Sequence, residues 1–598
     1  MALGDPRSEY LNRLKARLEV VARKEREHIR AGNAKLGVVV AGLAMAWLSL
    51  KDRFFAAWWL AVPFLIFLAL AIFHEQVIRA RGRLQRAAAF YQRGIERMED
   101  RWPGKGASGE RFRDAKHVYS DDLDIFGRGS LFELLSMART PMGERRLAGW
   151  LTSAPGLSEI IERQNSAAEL RERLDLREQL AVAGEELSPR LHPEMLVSWA
   201  ESPRVLGHSW VRGIASLLGI SFVAALIFYF ATASYGPLLA VVAAEAVVYA
   251  AFEKKAAAAI AGMSGNSEGL SLLAEILREL ENEHFTSPRL QEIARKFRGR
   301  QAPASHAIRK LAQIVNWIDA RDSLAAHLVE FPLLYTVQLG YAAEAWRQRW
   351  GTQTRQWIDA VAEIEALLSL AAYSYEHPGD PFPEFDLAED SAGSFEGEEL
   401  GHPLIPAAQC VRNSVRLGKE NSLLLISGSN MSGKSTLLRT VGVNAVLAMA
   451  GAPIRGKSLR LTPLSLGTSL RTTDSLQEGR SSFYTEILRI RDVFDLSDAP
   501  RPLLFLFDEL LEGTNSKDRR IGSQGILETL LRRRAIGMVT THDLALTEIT
   551  RSLGSLVRNM HFQDFVEDGK MRFDYVLRDG VVTKSNALEL MRLIGLKV

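Results

Sequence analysis

Residues 423–440 read LLLISGSNMSGKSTLLRT, an apolar strand that runs into a G-x-x-x-x-G-K-[ST] loop and then into a helix. No other stretch constrains the fold so tightly. A loop of this kind leaves the carboxyl end of a buried strand and opens a helix in the same sheet layer. Gly428 and Gly433 permit turns in which successive N–H groups face phosphate oxygens, and the helix beginning at Lys434 adds the positive end of its dipole. Gly428, Ser429, Asn430, Met431, Ser432, Gly433, Lys434, Ser435 and Thr436 are therefore expected to cradle the phosphates of ATP. Lys434 would reach the outer phosphates, and the Ser435 hydroxyl would ligate Mg2+.

An acidic motif follows in PLLFLFDELLEGTN, residues 502–515. Residues 503–507 form a short unbroken apolar run that suits a buried parallel strand, with Asp508 and Glu509 at its carboxyl end, where open α/β sheets place their ligands. Asp508 is expected to hold the Mg2+ shell, and Glu509 to orient or deprotonate the attacking water. A third strand within AIGMVTTHD ends near His542, which is placed to hydrogen-bond the terminal phosphate. The plainer reading of His542 is a satisfied structural histidine.

Four segments, GSNMSGKST (428–436), EGRSSFYTEI (478–487), DELLEGTNSKD (508–518) and TTHDLALTEI (540–549), resemble in order and approximate spacing the ATPase domain of the MutS DNA mismatch-repair family. Residues 560–596 are similar to the closing β-hairpin and last helix of that domain, and HPLIP at His402 with LGKENSLLLISG at Leu417 resembles its entry. The resemblance implies a Mg2+-dependent ATP hydrolase that works as a homodimer through this domain. It also implies that Ser481, and with it Ser482, reaches the partner's nucleotide in trans; a helix N-cap answered by Glu486 is the alternative. Asn430 matches the family's phosphate-loop asparagine.

The chain also departs from the pattern. Leu511 and Glu512 stand where small and basic residues are usual, and Cys410 and Val411 replace the aromatic expected under the adenine, so base contacts stay unassigned. Upstream, LDIFGRGSLFELLSMARTPMGERRLAGWL (123–151) resembles the opening of the family's helical core. No segment before residue 120 resembles its mismatch-reading domain, and lesion reading by an aromatic wedge is not expected.

The amino-terminal part carries a different signal. Residues 36–50 and 54–73 have no formal charge and are parted by Lys51, Asp52 and Arg53 alone, which predicts a helical hairpin across lipid with Trp58 and Trp59 near one interface. Residues 213–244 are charge-free too, with SYGP at 234–237 as the turn of a second hairpin and Glu245 interrupting its second span. Arg23, Lys24, Arg26, Arg30 and Lys35 precede the first hairpin, Arg79, Arg81, Arg83 and Arg86 follow it, and Lys254 and Lys255 follow the second. Positive-inside counting places both termini and the ATPase in the cytoplasm of a multi-pass protein of the bacterial inner membrane, with Lys51 and Arg53 counting weakly against it. Buried helices of a soluble core are the alternative, since 47% hydrophobic residues and a mean hydropathy of −0.03 are moderate.

At 598 residues the chain is long enough for several units, and 74 basic against 71 acidic residues demand no nucleic-acid partner by themselves. The single Cys410 excludes an internal disulfide and suits a reducing compartment. The expected fold is multidomain: a carboxyl-terminal P-loop α/β ATPase of the MutS, ABC-like type, preceded by an all-α core or lever domain with two transmembrane hairpins. The expected boundaries are 1–35, an amphipathic helix; 36–74, the first hairpin; 75–212, a core-like helical segment; and 213–252, the second hairpin. Residues 253–376 continue the lever, 377–400 form a linker and 401–598 the ATPase. Function follows as a membrane-anchored ATPase with DNA as a possible partner. An ATP-driven transporter is the rival, weakened because the LSGGQ signature of transport ATPases is missing; a scaffold that binds ATP without turnover fits poorly with intact Lys434, Asp508 and Glu509.

Overall fold

The computed structural model describes residues 5–52, 56–207, 210–299, 302–321, 330, 332–386, 393–429, 431–470, 482–542, 547, 553–567 and 570–582. A helical amino-terminal region is followed by a carboxyl-terminal α/β sheet domain, the order expected from sequence. The helices are α1 (Pro6–Asp52), α2 (Ala61–Met98), α3 (Leu131–Leu135), α4 (Pro141–Leu151), α5 (Leu157–Arg171), α6 (Leu174–Leu187), α7 (Pro193–Glu201), α8 (Trp210–Thr232), α9 (Gly236–Ile260), α10 (Ser267–Asn282), α11 (Pro288–Arg298), α12 (Ala304–Ala320) and α13 (Tyr335–Glu376). In the sheet domain α14 (Lys434–Ala450), α15 (Ser482–Asp495) and α16 (Ser516–Arg532) alternate with strands.

Helices α1 and α2 pack as a long antiparallel pair, each continuing unbroken from an apolar half into a polar one, so residues 35–36 and 74–75 lie inside helices. No proline or turn cluster interrupts either helix, which is why neither breaks there. The two halves differ in what covers them. Leu36, Leu43, Trp47 and Phe64 are exposed, whereas Tyr10, Phe90 and Tyr91 at the other end are buried beside Tyr375. Four helices, α1, α2, α8 and α9, are long and apolar enough to cross a membrane.

Helix α13 is the spine of the helical region. Its 42 residues span about 63 Å at the α-helical rise, and α4, α5, α7, α9 and α12 all pack on it. Near its carboxyl end the buried Glu365 accepts from the Thr140 hydroxyl and from the backbone N–H groups of Arg139 and Thr140 (3.2 and 3.3 Å). Thr140 in turn caps α4 by accepting from Gly143 N, and Pro141 sits at the first helical position, where its missing N–H costs nothing. Arg97 of α2 pairs with Glu376 of α13, so the spine is tied to both neighbours by buried charges.

The main sheet has the order β10-β9-β4-β8-β7-β6, with β4 (Leu423–Ser427), β6 (Ser465–Ser469), β7 (Leu503–Phe507), β8 (Ile536–Thr541) and β9 (Val557–Glu567) parallel and β10 (Lys570–Asp579) antiparallel to β9. A smaller sheet, order β1-β5-β2-β3, joins β1 (Glu384–Phe385), β2 (Phe395–Leu400), β3 (Asn413–Leu417) and β5 (Ser458–Leu461). Thus β2, within the segment read as a linker, belongs to this domain's sheets. Every residue of β4, β7 and β8 is buried, as parallel strands covered on both faces require. The helical region grips the domain at the edge strand β6. Thr468 N donates to Val118 O (3.0 Å), while Asp122 accepts from the Thr468 hydroxyl (2.6 Å) and Leu470 N (3.1 Å).

Candidate functional site

The carboxyl ends of β4, β7 and β8 lie side by side, Ser427 opposite Thr541 and Phe507 opposite Val539, so the loops that follow open on one edge of the sheet. Gly433, with φ of 103°, is the residue from which α14 starts; this left-handed turn aims the first free N–H groups of the helix back toward β4. A Cβ at Gly433 would stand 3.0 Å from the Tyr575 ring, and one at Gly428 2.9 Å from Ser432 Oγ, so both glycines are also required for space. The hydroxyls of Ser429 and Ser432 are buried without a hydrogen-bond partner among the described residues, an arrangement that costs stability unless an acceptor arrives.

Lys434 is buried, and its ammonium donates to the carbonyls of Gly428 (2.9 Å) and Ser429 (3.0 Å) with Glu509 3.8 Å away. Burial lowers its pKa, opposed by the nearby carboxylates of Glu509 and Asp508. Asp508 and Glu509 follow β7 directly, and Glu509 holds a φ of 53°, a strained region for a residue with a side chain. Thr540 stabilises that turn. Its hydroxyl donates to Asp508 and accepts from Glu509 N (3.1 Å), so one side chain from the neighbouring strand holds the Asp508 carboxylate and the Glu509 backbone. Burial raises the Glu509 pKa, Glu512 raises it further, and Lys434 and His542 pull it down. His542 is half-exposed, with Nδ1 3.6 Å from Glu509 Oε1.

Lys434, Asp508 and Glu509 share one cleft of about 710 Å3 with Ser429, Met431, Gly433, Ser435 and Thr436; His542 is not among its lining residues. His402, Cys410, Val411, Asn413, Phe562 and Tyr575 also line it, with the Tyr575 ring against Gly433. Sequence reasoning missed Tyr575 and Thr540. Tyr575 reaches the cleft because Asn413 clips the far hairpin, donating to Tyr575 O (2.9 Å) and accepting from Leu577 N (2.8 Å). A tyrosine in a hairpin so far along the chain gives no local signal; the Thr540 signal was available in its place just before His542. Asn430 and Ser481 lie outside the described residues, as does the Ser482 side chain, while Ser482 begins α15. Glu486, offered as the answer to a Ser482 cap, instead accepts from Leu511 N (2.7 Å) and so braces the segment after Glu509.

Fold and cleft together define an α/β domain of the strand–loop–helix type with a cleft at the carboxyl edge of a parallel sheet. Residues 424–597 match the family model of MutS domain V. Endonuclease MutS2 of Thermus thermophilus is 37% identical over 203 residues, 33% of this chain and 25% of its own length. DNA mismatch repair protein MutS of Listeria monocytogenes is 31% identical over 243 residues (40% of this chain, 27% of its own), and that of Geobacillus kaustophilus 32% over 241 residues (40% and 26%). The chain spans about a quarter of the length of these curated relatives.

Proposed function

We propose that this protein is a membrane-anchored, MutS-like ATPase that binds and hydrolyses ATP as a homodimer and couples turnover to DNA. The observation that carries the reading is the meeting of Lys434, Ser435, Asp508 and Glu509 in one cleft, with buried, unpartnered Ser429 and Ser432 hydroxyls beside a desolvated ammonium. That donor set fits a polyphosphate, and the adjacent Ser435 hydroxyl and Asp508 carboxylate fit a hard, oxygen-seeking Mg2+.

Lys434 gives up its carbonyl partners for the outer phosphates, and the α14 amino end faces them with free N–H groups. Ser435 and Asp508 hold Mg2+, which when bound neutralises charge on the phosphates. Glu509, fixed by Thr540, orients the attacking water and takes its proton, and His542 sits beside it. Tyr575 offers an aromatic face at the wall where Cys410 and Val411 provide none. Ser481 and Ser482 act on the partner's nucleotide, so two domains close face to face around ATP and reopen on hydrolysis.

The membrane part of the reading rests on α1, α2, α8 and α9, whose exposed leucine, phenylalanine and tryptophan faces suit lipid better than water. DNA as a partner rests on the printed names of the relatives, an endonuclease and mismatch-repair proteins. The test is the ATPase rate of the detergent-solubilised chain alone and with homoduplex, mismatched or branched DNA. A several-fold change with at least one of them is expected. Equal rates in all four conditions would remove DNA from the account and leave ATP hydrolysis standing.

A further inference from the structure

Helix α13 begins next to the second apolar hairpin, and the contacts there are close. A Cβ on Gly219 of α8 would lie 3.5 Å from Leu333 Cδ2 and 3.9 Å from Pro332 O, and one on Gly340 of α13 would lie 2.6 Å from the Ala256 Cβ of α9. Leu334, Val337 and Tyr341 share one buried cluster with Val211 and Ala215 of α8 and with Ala256 and Ala259 of α9, and Val248 and Phe252 pack against it. Gly219 stands seven residues beyond Arg212, the last charge before α8 turns apolar, a separation of about 10 Å at the helical rise, while Ala256 and Ala259 of α9 come just after Lys254 and Lys255 at the basic flank.

Three hydrogen bonds fix the turn that opens α13. Leu333 O accepts from the Gln338 side chain (3.1 Å), Leu334 O accepts from Gln338 N (2.9 Å), and Thr336 N donates to Glu330 (3.4 Å). Two tryptophans mark the rim. Trp210 at the start of α8 and Trp317 near the end of α12 are 60% and 58% exposed, and Trp317 O accepts from the Tyr335 hydroxyl (2.8 Å). Large amphipathic rings on open surface, beside a helix pair with lipid-suited faces, are the mark of a headgroup-level belt.

We infer that the amino end of α13, with Trp317 and the Pro332–Leu334 turn, is seated in the lipid interface against the second hairpin. This rests on the membrane reading above and goes beyond it: the hairpin becomes the membrane end of the lever that reaches Thr140 and the ATPase, rather than a tether beside it. The partner surface is the bilayer itself.

Cys410 is the only cysteine, so a Cys410→Ser chain accepts single reporters. Nitroxide labels at Trp317→Cys, at Ile220→Cys in the middle of α8 and at Ile521→Cys on α16, in the chain reconstituted in phosphatidylcholine liposomes, report oxygen against nickel-chelate collision. Oxygen should dominate at 220 and nickel chelate at 521, with 317 shifted toward the 220 value. Should Trp317→Cys fail to fold, Tyr335→Cys takes its place. Lipid-like 220 with 317 indistinguishable from 521 overturns the seat and leaves the membrane reading intact. Water-like 220 overturns both.

Discussion

At the scale of single residues, the proposed ATPase cleft would separate holding nucleotide from splitting it. Lys434 is buried against carbonyls that phosphates would replace, whereas Glu509 stands beyond the loop at the end of a different strand. Lys434→Ala is therefore expected to weaken ATP binding itself, and Glu509→Gln to bind ATP near normally while losing turnover by about a hundredfold or more. Equal loss of binding in both, measured by equilibrium titration with a fluorescent ATP analogue, would contradict the division of roles. Thr540→Val keeps the shape of β8 but removes the hydroxyl between the two acids. Turnover should fall about tenfold or more with ATP affinity little changed, corresponding to the loss of the hydroxyl's two hydrogen bonds, together about 1–3 kcal/mol. Unaltered kcat would show that Asp508 and Glu509 hold their places without it. The strand, loop and acids around Lys434, Asp508 and Glu509 were legible in the sequence because they are local patterns. Tyr575 was not, since it arrives through Asn413 and a hairpin, and that is a tertiary event.

Among the elements, α13 and α4 are joined through Glu365, whose pKa burial pushes up to about 7, with the Thr140 hydroxyl and the Arg139 and Thr140 N–H groups opposing the rise. The folded carboxyl holds its proton more tightly than the unfolded one near 4.5, so its contribution to stability is complete below that pH and is lost as pH rises through about 7. A shift of this size corresponds to about 3 kcal/mol. The unfolding midpoint of the detergent-solubilised chain should fall between pH 5 and 8.5, and Glu365→Gln, which keeps an acceptor for the two N–H groups, should flatten that dependence. Identical slopes would refute the assignment. Asp122 makes a second joint. Asp122→Ala removes a buried acceptor shared by Thr468 and Leu470 and should lower stability by about 2 kcal/mol or more, read as a lower midpoint in the same assay. That helices precede the sheet domain was readable from sequence, and the segment 123–151, which contains α4, was expected to open a helical core. The lengths of α1, α2 and α13 were not, because each passes from one environment into another without a sequence break, and only packing against partners decides where a helix changes surroundings.

The whole molecule links apolar helices at one end to the cleft beside Lys434 at the other through α13 and the connector around Asp122. Composition gave little warning of this architecture, since a balanced charge and moderate hydropathy average over a strongly apolar part and a strongly polar one. If both termini face the cytoplasm, a reporter fused after Val598 that works only there should be active; an inactive fusion on a folded, membrane-resident chain would reverse the topology. The central claim is that ATP turnover resides in a chain held by lipid, and flotation tests it most directly. The wild-type chain is reconstituted into liposomes and spun up a density gradient, with Mg2+-dependent ATP hydrolysis measured in every fraction. Turnover should float with the lipid and be lost in Glu509→Gln vesicles carrying equal protein. Activity left in the dense, lipid-free fractions, or activity unchanged by Glu509→Gln, would contradict the account.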